Sequence, residues 1–326
     1  MHKCGSSTIL NILLRYADKY NLTVAMPPKG NYLGWPHHFK KEMVIQVPWN
    51  EYNIFTHHSR FEYESIKAMM PNDTVFVAAL REPVTMFESV FTYYNLGTQF
   101  GLNGSDSLDR FISNPHTYHK TTNARAWNPM LFDLGISSML MKNTTFIESQ
   151  IDWLTNVFDL VLISEYMDES LILLKDLMCW DIDDIVALSM NARVEDSKRN
   201  ISEDIAEKIR QWNSGDVSLY RTFNQTFWKR IEDFGSARLQ IELDKLKVRR
   251  QELFDECIDN VVSNDSRVWH PSHVNVKSFR LKPGATINTI CLGLTRTELP
   301  FTIYMRDNLL TRIRTFNSDN LNLIND

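Results

Sequence analysis

The chain has 326 residues, 43% hydrophobic and 23% charged, which is enough to bury one large core or two modest ones, and its composition carries no mark of disorder. A net charge of -5 argues against a general polyanion or nucleic-acid binder, since such proteins present a basic excess; a neutral or lightly charged ligand fits better.

The opening stretch, Met1-His2-Lys3-Cys4-Gly5-Ser6-Ser7-Thr8-Ile9-Leu10-Asn11-Ile12, runs a cation, a glycine and three hydroxyls into an apolar helical pattern over residues 7–19. Gly5 allows the backbone to turn without a side-chain clash, Ser6, Ser7 and Thr8 add hydroxyl donors, and the amides that open a helix favour negative charge. The pattern suits a phosphate or sulfate, and it also suits an ordinary solvated helix cap. It is not Gly-x-x-x-x-Gly-Lys-Ser/Thr, because Lys3 precedes the only glycine, which disfavours an ATPase or kinase loop.

Thr23–Met26 and Tyr52–Thr56 read as strands, the second delivering His57 and His58 to its carboxyl end. Between them, Gly34-Trp35-Pro36-His37-His38-Phe39 sets an aromatic ring beside polar side chains. That arrangement serves a sugar-binding wall or, equally, a buried tryptophan anchoring a loop. After a helix at 62–70, the apolar run 74–80 reads as a buried parallel strand ending in Arg81-Glu82-Pro83, followed by a helix at 84–95. Arg81 therefore sits at a strand's carboxyl end, where open α/β sheets bind ligands, and Ser89 lies about two turns into the next helix, placed to face the same crevice.

Residues 96–130 form a long polar insertion with a short helix at 108–112, of the kind that makes binding loops. A strand at 160–164, a helix at 169–178 and a short helix at 181–189 follow, then a capped amphipathic helix at 202–212 and a charge-rich helical run over 227–258. The tail, 262–326, includes a strand-like piece at 301–305. Alternation of helix and strand through the first half implies an α/β fold, a doubly wound parallel sheet with flanking helices.

The four cysteines, Cys4, Cys179, Cys257 and Cys291, show no Cys-x-x-Cys spacing, so neither zinc nor any other metal is expected. In an oxidising lumen a Cys257–Cys291 disulfide would tie the tail to the long helix before it, while Cys179 beside Trp180 reads as a buried core thiol. Seven Asn-x-Ser/Thr triplets, at Asn21, Asn72, Asn103, Asn143, Asn200, Asn224 and Asn264, favour a secretory-pathway protein.

Taken together, these blocks resemble the galactose 3-O-sulfotransferase family of the sulfotransferase superfamily. His2-Lys3-Cys4-Gly5-Ser6-Ser7-Thr8 is similar to its 5'-phosphosulfate loop, and Arg81-Glu82-Pro83 with Ser89 to its 3'-phosphate site. Phe87 to Tyr94, His58-Ser59-Arg60-Phe61, Phe132-Asp133-Leu134-Gly135, Glu165-Tyr166 through Trp180, Asn191-Ala192-Arg193, and Trp212 to Trp228 are likewise similar to blocks of that family. The resemblance covers roughly residues 2–260, implying a P-loop-like sulfotransferase fold over 1–260 with a C-terminal extension, 261–326, packed on it. Cys4 departs from the family's threonine, which implies that one hydroxyl bond to the cofactor is missing or is replaced by a backbone amide. The family's preceding strand and membrane anchor are expected upstream of the loop, with a Golgi lumenal location and membrane attachment through that anchor.

What the resemblance implies chemically is transfer of a sulfuryl group from 3'-phosphoadenosine 5'-phosphosulfate to the 3-hydroxyl of a terminal β-galactose, on a glycolipid or a glycoprotein glycan. Lys3 would stabilise the leaving oxygen, Gly5 and the hydroxyls of Ser6, Ser7 and Thr8 would hold the 5'-phosphate, and Arg81 and Ser89 would clamp the 3'-phosphate. Arg193 resembles a position near the cofactor or acceptor and suits a surface charge equally. His58 and His2 are the two candidate bases, His58 ranked slightly ahead, with the other bonding the acceptor sugar. A fold that binds glycan without activity is the alternative, a nucleotide kinase a third, and the sequence leaves a homodimer open.

Overall fold

In the computed structural model of the protein, residues 1–119, 123–188, 199–263, 265, 268 and 270–325 are described, without the side chains of 321–325. Helix α1 (Ser6–Lys19) opens the chain, α2 (Tyr63–Lys67) leads into strand β1 (Val77–Leu80), and α3 (Pro83–Tyr93) leaves it. The stretch expected as a polar loop holds four short helices, α4 (Leu96–Gln99), α5 (Ser107–Ser113), α6 (Pro115–Tyr118) and α7 (Pro129–Asp133). Helix α8 (Thr144–Val157) precedes β2 (Leu160–Ile163), with α9 (Met167–Met178) and α10 (Ile182–Ile185) after it. Then come α11 (Glu203–Trp212), α12 (Ser214–Phe234), α13 (Ser236–Cys257), the antiparallel strands β3 (Ile258–Ser263) and β4 (Lys277–Leu281), α14 (Thr289–Thr295) and α15 (Glu298–Asn325).

The fold is mixed α/β. Strands β1 and β2 pair in parallel, Val77 with Leu160 through Leu80 with Ile163, and β2 is buried along its whole length. Both are short apolar runs that end where polar residues begin, and each feeds a helix, as a βαβ unit requires. Thr23–Met26 and Tyr52–Thr56, expected as full strands, are extended segments joined by a single isolated parallel bridge, Val24–Ile54. A largely apolar cavity of about 490 Å³ lies between residues 53–59 and β1, so the described residues do not join these segments to β1 and β2 in one sheet.

Two apolar clusters form the core, and α1 lies between them. Ile12 belongs to the cluster built on β1, β2, α3, α9 and α12, whereas Leu10, Leu14 and Ala17 pack with Val24, Met26, Ile54 and the tail residues Phe301, Met305 and Leu309. The last three, spaced four apart, show why 301–305 is helix and not strand: the apolar side chains recur once per turn, and burying each is worth about 2 kcal/mol.

Three further expectations change. The run 227–258 is two helices broken at Gly235, where φ is 91°, and Ile258 begins β3. Cys179 is exposed, because it adopts the left-handed conformation that ends α9 while Trp180 takes the buried position. The helix expected over 181–189 ends at Ile185, and Ser189 falls outside the described residues. The expected disulfide is present: Cys257, closing α13, is bonded to Cys291 in α14. Among the described residues no helix is long and apolar enough to cross a membrane.

Candidate functional site

The amino-terminal turn is made by two left-handed residues, Lys3 with φ of 59° and Gly5 with φ of 80°. The left-handed conformation favours glycine at position 5, and a β-carbon there would stand 2.5 Å from Met167 Cε, which would have to shift. Gly5 is the N-cap of α1 and offers no side chain to close the helix; Thr8 N and Ile9 N return to its carbonyl, leaving the helix end directed at the turn. Cys4 points the other way: fully buried, it sets its thiol toward the His2 carbonyl at 3.4 Å. Position 4 therefore faces the core, and the departure from threonine removes no hydroxyl from the cradle.

Arg81 meets this turn directly. Its Nη1 donates to the Lys3 carbonyl at 3.3 Å, although 78 residues separate the two, and its Nε donates to Thr85 Oγ1 at 3.3 Å. Glu165, at the end of β2, accepts from the Glu82 amide at 3.0 Å and from the Tyr220 hydroxyl at 3.2 Å, and stands 3.9 Å from Arg81. Three of the sequence blocks thus converge on the residue that leaves β1. Ser89 is buried in α3, and Lys3 lays its ammonium 3.7 Å from the centre of the Tyr93 ring on the same helix. Arg193 lies outside the described residues.

Both candidate histidines lie largely buried beside this turn, stacked on each other and held by different partners. Chain segment 58–61 docks on the end of α7: the Phe61 amide donates to the Asp133 carbonyl at 2.8 Å, and Arg60 donates to the carbonyls of Phe132, Gly135 and Ile136. Gly135 permits that approach, since a β-carbon there would fall 2.5 Å from the Phe61 carbonyl oxygen. Arg60 is therefore a clamp on helix-end carbonyls, and the interlock carries His58 and Asp133 to the two sides of His2. Asp133 Oδ2 accepts from the His2 amide and from His2 Nδ1, each at 2.7 Å, while Trp35 Nε1 donates to Oδ1 at 2.9 Å.

The electrostatics follow from this packing. Burial pushes the His2 imidazole down to about 4, against the pull of Asp133. Burial alone would raise the Asp133 carboxyl, but the bonds from His2 hold it below the usual carboxylate range. An ionised carboxylate only accepts, so His2 Nδ1 carries the proton and Nε2 presents a lone pair; among the described residues that buried atom has no hydrogen-bond partner. His58, by contrast, has Nε2 engaged with Glu298 Oε1 at 3.2 Å. Glu298 opens α15 and also accepts from Asn31 Nδ2 at 2.6 Å and Ser7 Oγ at 3.2 Å. Against the effect of burial, those partners hold its carboxyl down at about 2.

Aromatic rings wall the site. Tyr32 stacks on His58 at 4.9 Å, Trp35 meets His2 edge-on at 4.8 Å, and the Arg125 guanidinium carbon lies over the Trp35 and Tyr94 rings, 3.9 and 4.1 Å from their centres. Sequence reasoning assigns no role to Asp133, Glu298 or Arg125. Asp133 falls within a family-like block, but Glu298 is 240 residues from His58, in a tail without a motif, and Arg125 is one charge in a polar loop. Among the described residues no group of three His, Cys, Asp or Glu side chains is arranged as a metal site.

The chain matches the family model described as galactose-3-O-sulfotransferase over residues 1–307, a span that includes Glu298. It is similar to galactose-3-O-sulfotransferase 2 of Sus scrofa, 34% identical over 92% of this chain and 80% of that protein. It is 31% identical to galactosylceramide sulfotransferase of Homo sapiens over 98% of this chain and 79% of that one, and 33% identical to galactose-3-O-sulfotransferase 3 of Mus musculus over 93% and 75%. No solved structure gives a significant match.

Proposed function

The chain belongs to the galactose-3-O-sulfotransferase family, and from that premise we propose that it transfers a sulfuryl group from 3'-phosphoadenosine 5'-phosphosulfate to the 3-hydroxyl of a terminal β-galactose on a glycolipid or glycan. The observation that carries this reading is the hydrogen bond from Arg81 to the Lys3 carbonyl, next in the chain to a histidine whose Nε2 is buried and, among the described residues, unpartnered. That contact brings Arg81 to the turn that carries Lys3 and opens α1, an arrangement that supports a nucleotide phosphorylated at both ends.

In this reading the 5'-phosphate rests on the amino end of α1, with Gly5, the hydroxyls of Ser6 and Thr8 and the Ser7 amide, since the Ser7 hydroxyl donates to Glu298, and the 3'-phosphate on Arg81 and Ser89. His2 Nε2 accepts the proton of the acceptor hydroxyl as its oxygen bonds to sulfur, and the bond from sulfur to the 5'-phosphate oxygen breaks. Lys3 meets the charge that develops on that leaving oxygen, where the transition state differs most from the bound donor. Asp133 holds the His2 tautomer and stabilises the imidazolium once it forms, the role a carboxylate plays behind a general-base histidine. This places His2 ahead of His58 as the base, because the Nε2 of His58 is already engaged with Glu298; His58 then bonds the acceptor.

The wider setting of the same reading is a doubly wound sulfotransferase sheet of which β1 and β2 are one part, and a Golgi lumenal site of action. Exposed sequons at Asn21, Asn72, Asn103, Asn143 and Asn200 support a lumenal location. The deciding experiment incubates the protein with donor carrying labelled sulfate and a β-galactoside, and locates the label on the product by NMR. Sulfate at the 3-position is expected; galactoside binding without transfer would instead mark a glycan-binding protein.

A further inference from the structure

We propose that Arg125 recognises the acceptor sugar by donating hydrogen bonds to a hydroxyl next to the one that is sulfated, an inference that rests on the galactoside reading above. The guanidinium carbon lies 3.9 Å from the centre of the Trp35 ring and 4.1 Å from that of Tyr94, so two aromatic rings pack on the group and its N–H edges are what it can offer a ligand. Among the described residues its Nε is buried without a hydrogen-bond partner and the side chain makes no ion pair. A buried donor left unsatisfied is costly, and native proteins keep few of them; those that persist are explained by something that binds there.

His2 Nε2 is a second orphaned atom, and it belongs to the same wall. His2 and Arg125 stand 4.8 and 3.9 Å from the one Trp35 ring, and 5.9 and 4.1 Å from the one Tyr94 ring. Their needs are opposite. Nε2 of a neutral imidazole accepts, whereas Nε of a guanidinium donates. A vicinal diol satisfies both, one hydroxyl giving its proton to His2 and its neighbour accepting from Arg125. Aromatic faces beside them suit the C–H face of a pyranose. The 3-hydroxyl of galactose has two such neighbours, at C2 and C4.

The test compares wild type with Arg125→Met and Arg125→Lys on a β-galactoside and on its 2-deoxy and 4-deoxy analogues. Methionine keeps the stacked volume, and lysine keeps the charge without the fork. We expect Arg125→Met to reduce kcat/KM on the parent sugar by about 10- to 100-fold, the scale of one missing charged hydrogen bond. Wild type should fall by a similar factor on one deoxy analogue, and on that analogue Arg125→Met should cost nothing more. Affinity for adenosine 3',5'-bisphosphate should not move in either variant, and Arg125→Lys should recover only part of the rate. Equal reductions by Arg125→Met on all three sugars, or a weakened bisphosphate affinity, would overturn the assignment while leaving the sulfotransferase reading intact. Failure of wild type to sulfate any galactoside would sink both.

Discussion

The imidazoles of His2 and His58 lie face to face, 4.8 Å between centres and 14° between planes, yet each is held by a different carboxylate, His2 by Asp133 and His58 by Glu298. Two imidazolium charges at that separation repel, so protonation of one opposes protonation of the other. Burial biases His2 toward the neutral form, and its orphaned Nε2 is the consequence with chemical use.

His2→Ala is therefore expected to lower kcat by about 10²- to 10⁴-fold, the usual contribution of a general base, while bisphosphate affinity stays near wild type. His58→Ala should act mainly on the acceptor KM. Because His2 is held near 4 in the absence of ligand, kcat/KM should stay flat as pH falls through 6.5 and decline only toward 4. An acid limb that disappears in His58→Ala and survives in His2→Ala would transfer the base to His58.

Lys3 and Arg81 should separate kinetically. Lys3→Ala is expected to abolish turnover with bisphosphate binding largely retained, since its charge is needed where the leaving oxygen develops. Arg81→Ala should raise the donor KM, and because Arg81 also ties the Lys3 carbonyl, kcat should fall with it. Calorimetry with the bisphosphate and initial rates with the donor measure the two parts; an unchanged donor KM in Arg81→Ala removes that residue from the site.

Glu298 makes the tail part of the site. Its carboxylate joins His58, Asn31 and Ser7, three residues of the amino-terminal segment, through the first turn of a helix whose Phe301, Met305 and Leu309 are buried against α1. Glu298→Gln keeps size and removes the charge, and should raise the acceptor KM several-fold; because the fold holds this carboxyl below its ordinary value, the thermal midpoint at neutral pH should fall as well. If KM and kcat both stay at wild-type values, Glu298 serves packing alone.

These interactions mark how far the sequence could be read. Lys3 and Arg81 were legible because each sits where an apolar element meets a polar turn, a local signal that also fixes which end of a βα unit it occupies. The blocks 58–61 and 132–135 were legible as blocks, but their use depends on an interlock between Gly135 and the Phe61 carbonyl that no local pattern encodes. Cys179 beside buried Trp180 read as core, and one left-handed residue at a helix end sends the thiol outward. Residues 301–305 alone fit either period, and Leu309 decides for the helix.

The disulfide between Cys257 and Cys291 spans 34 residues that include β3 and β4. Closing a loop of that length is worth about 3–4 kcal/mol on a chain-entropy basis. Reduction should lower the thermal midpoint and should expose β3 and β4 to hydrogen exchange before β1 and β2. Simultaneous exposure of both sheets would mean that the carboxyl-terminal elements do not unfold as a separate unit.

Acid should destabilise the fold through its buried histidines. His2 and His57 are both pushed by burial from 6.5 to about 4. Between those values the unfolded chain binds a proton at each that the folded chain refuses, so their contribution is fully present above 6.5 and is lost as pH falls toward 4. Asp216 acts in the opposite sense: burial raises its carboxyl to about 7, against the bonds it accepts from the Met130 and Leu131 amides, so the folded chain takes up a proton that the unfolded one releases. Two groups outweigh one, and the denaturation midpoint should rise from about pH 4.5 to 6.5. His57→Gln, which can keep the bond to Thr302, removes one of the two titrations and should flatten that rise. A midpoint that instead falls across this range in wild type would show that Asp216 dominates and that the histidines titrate normally.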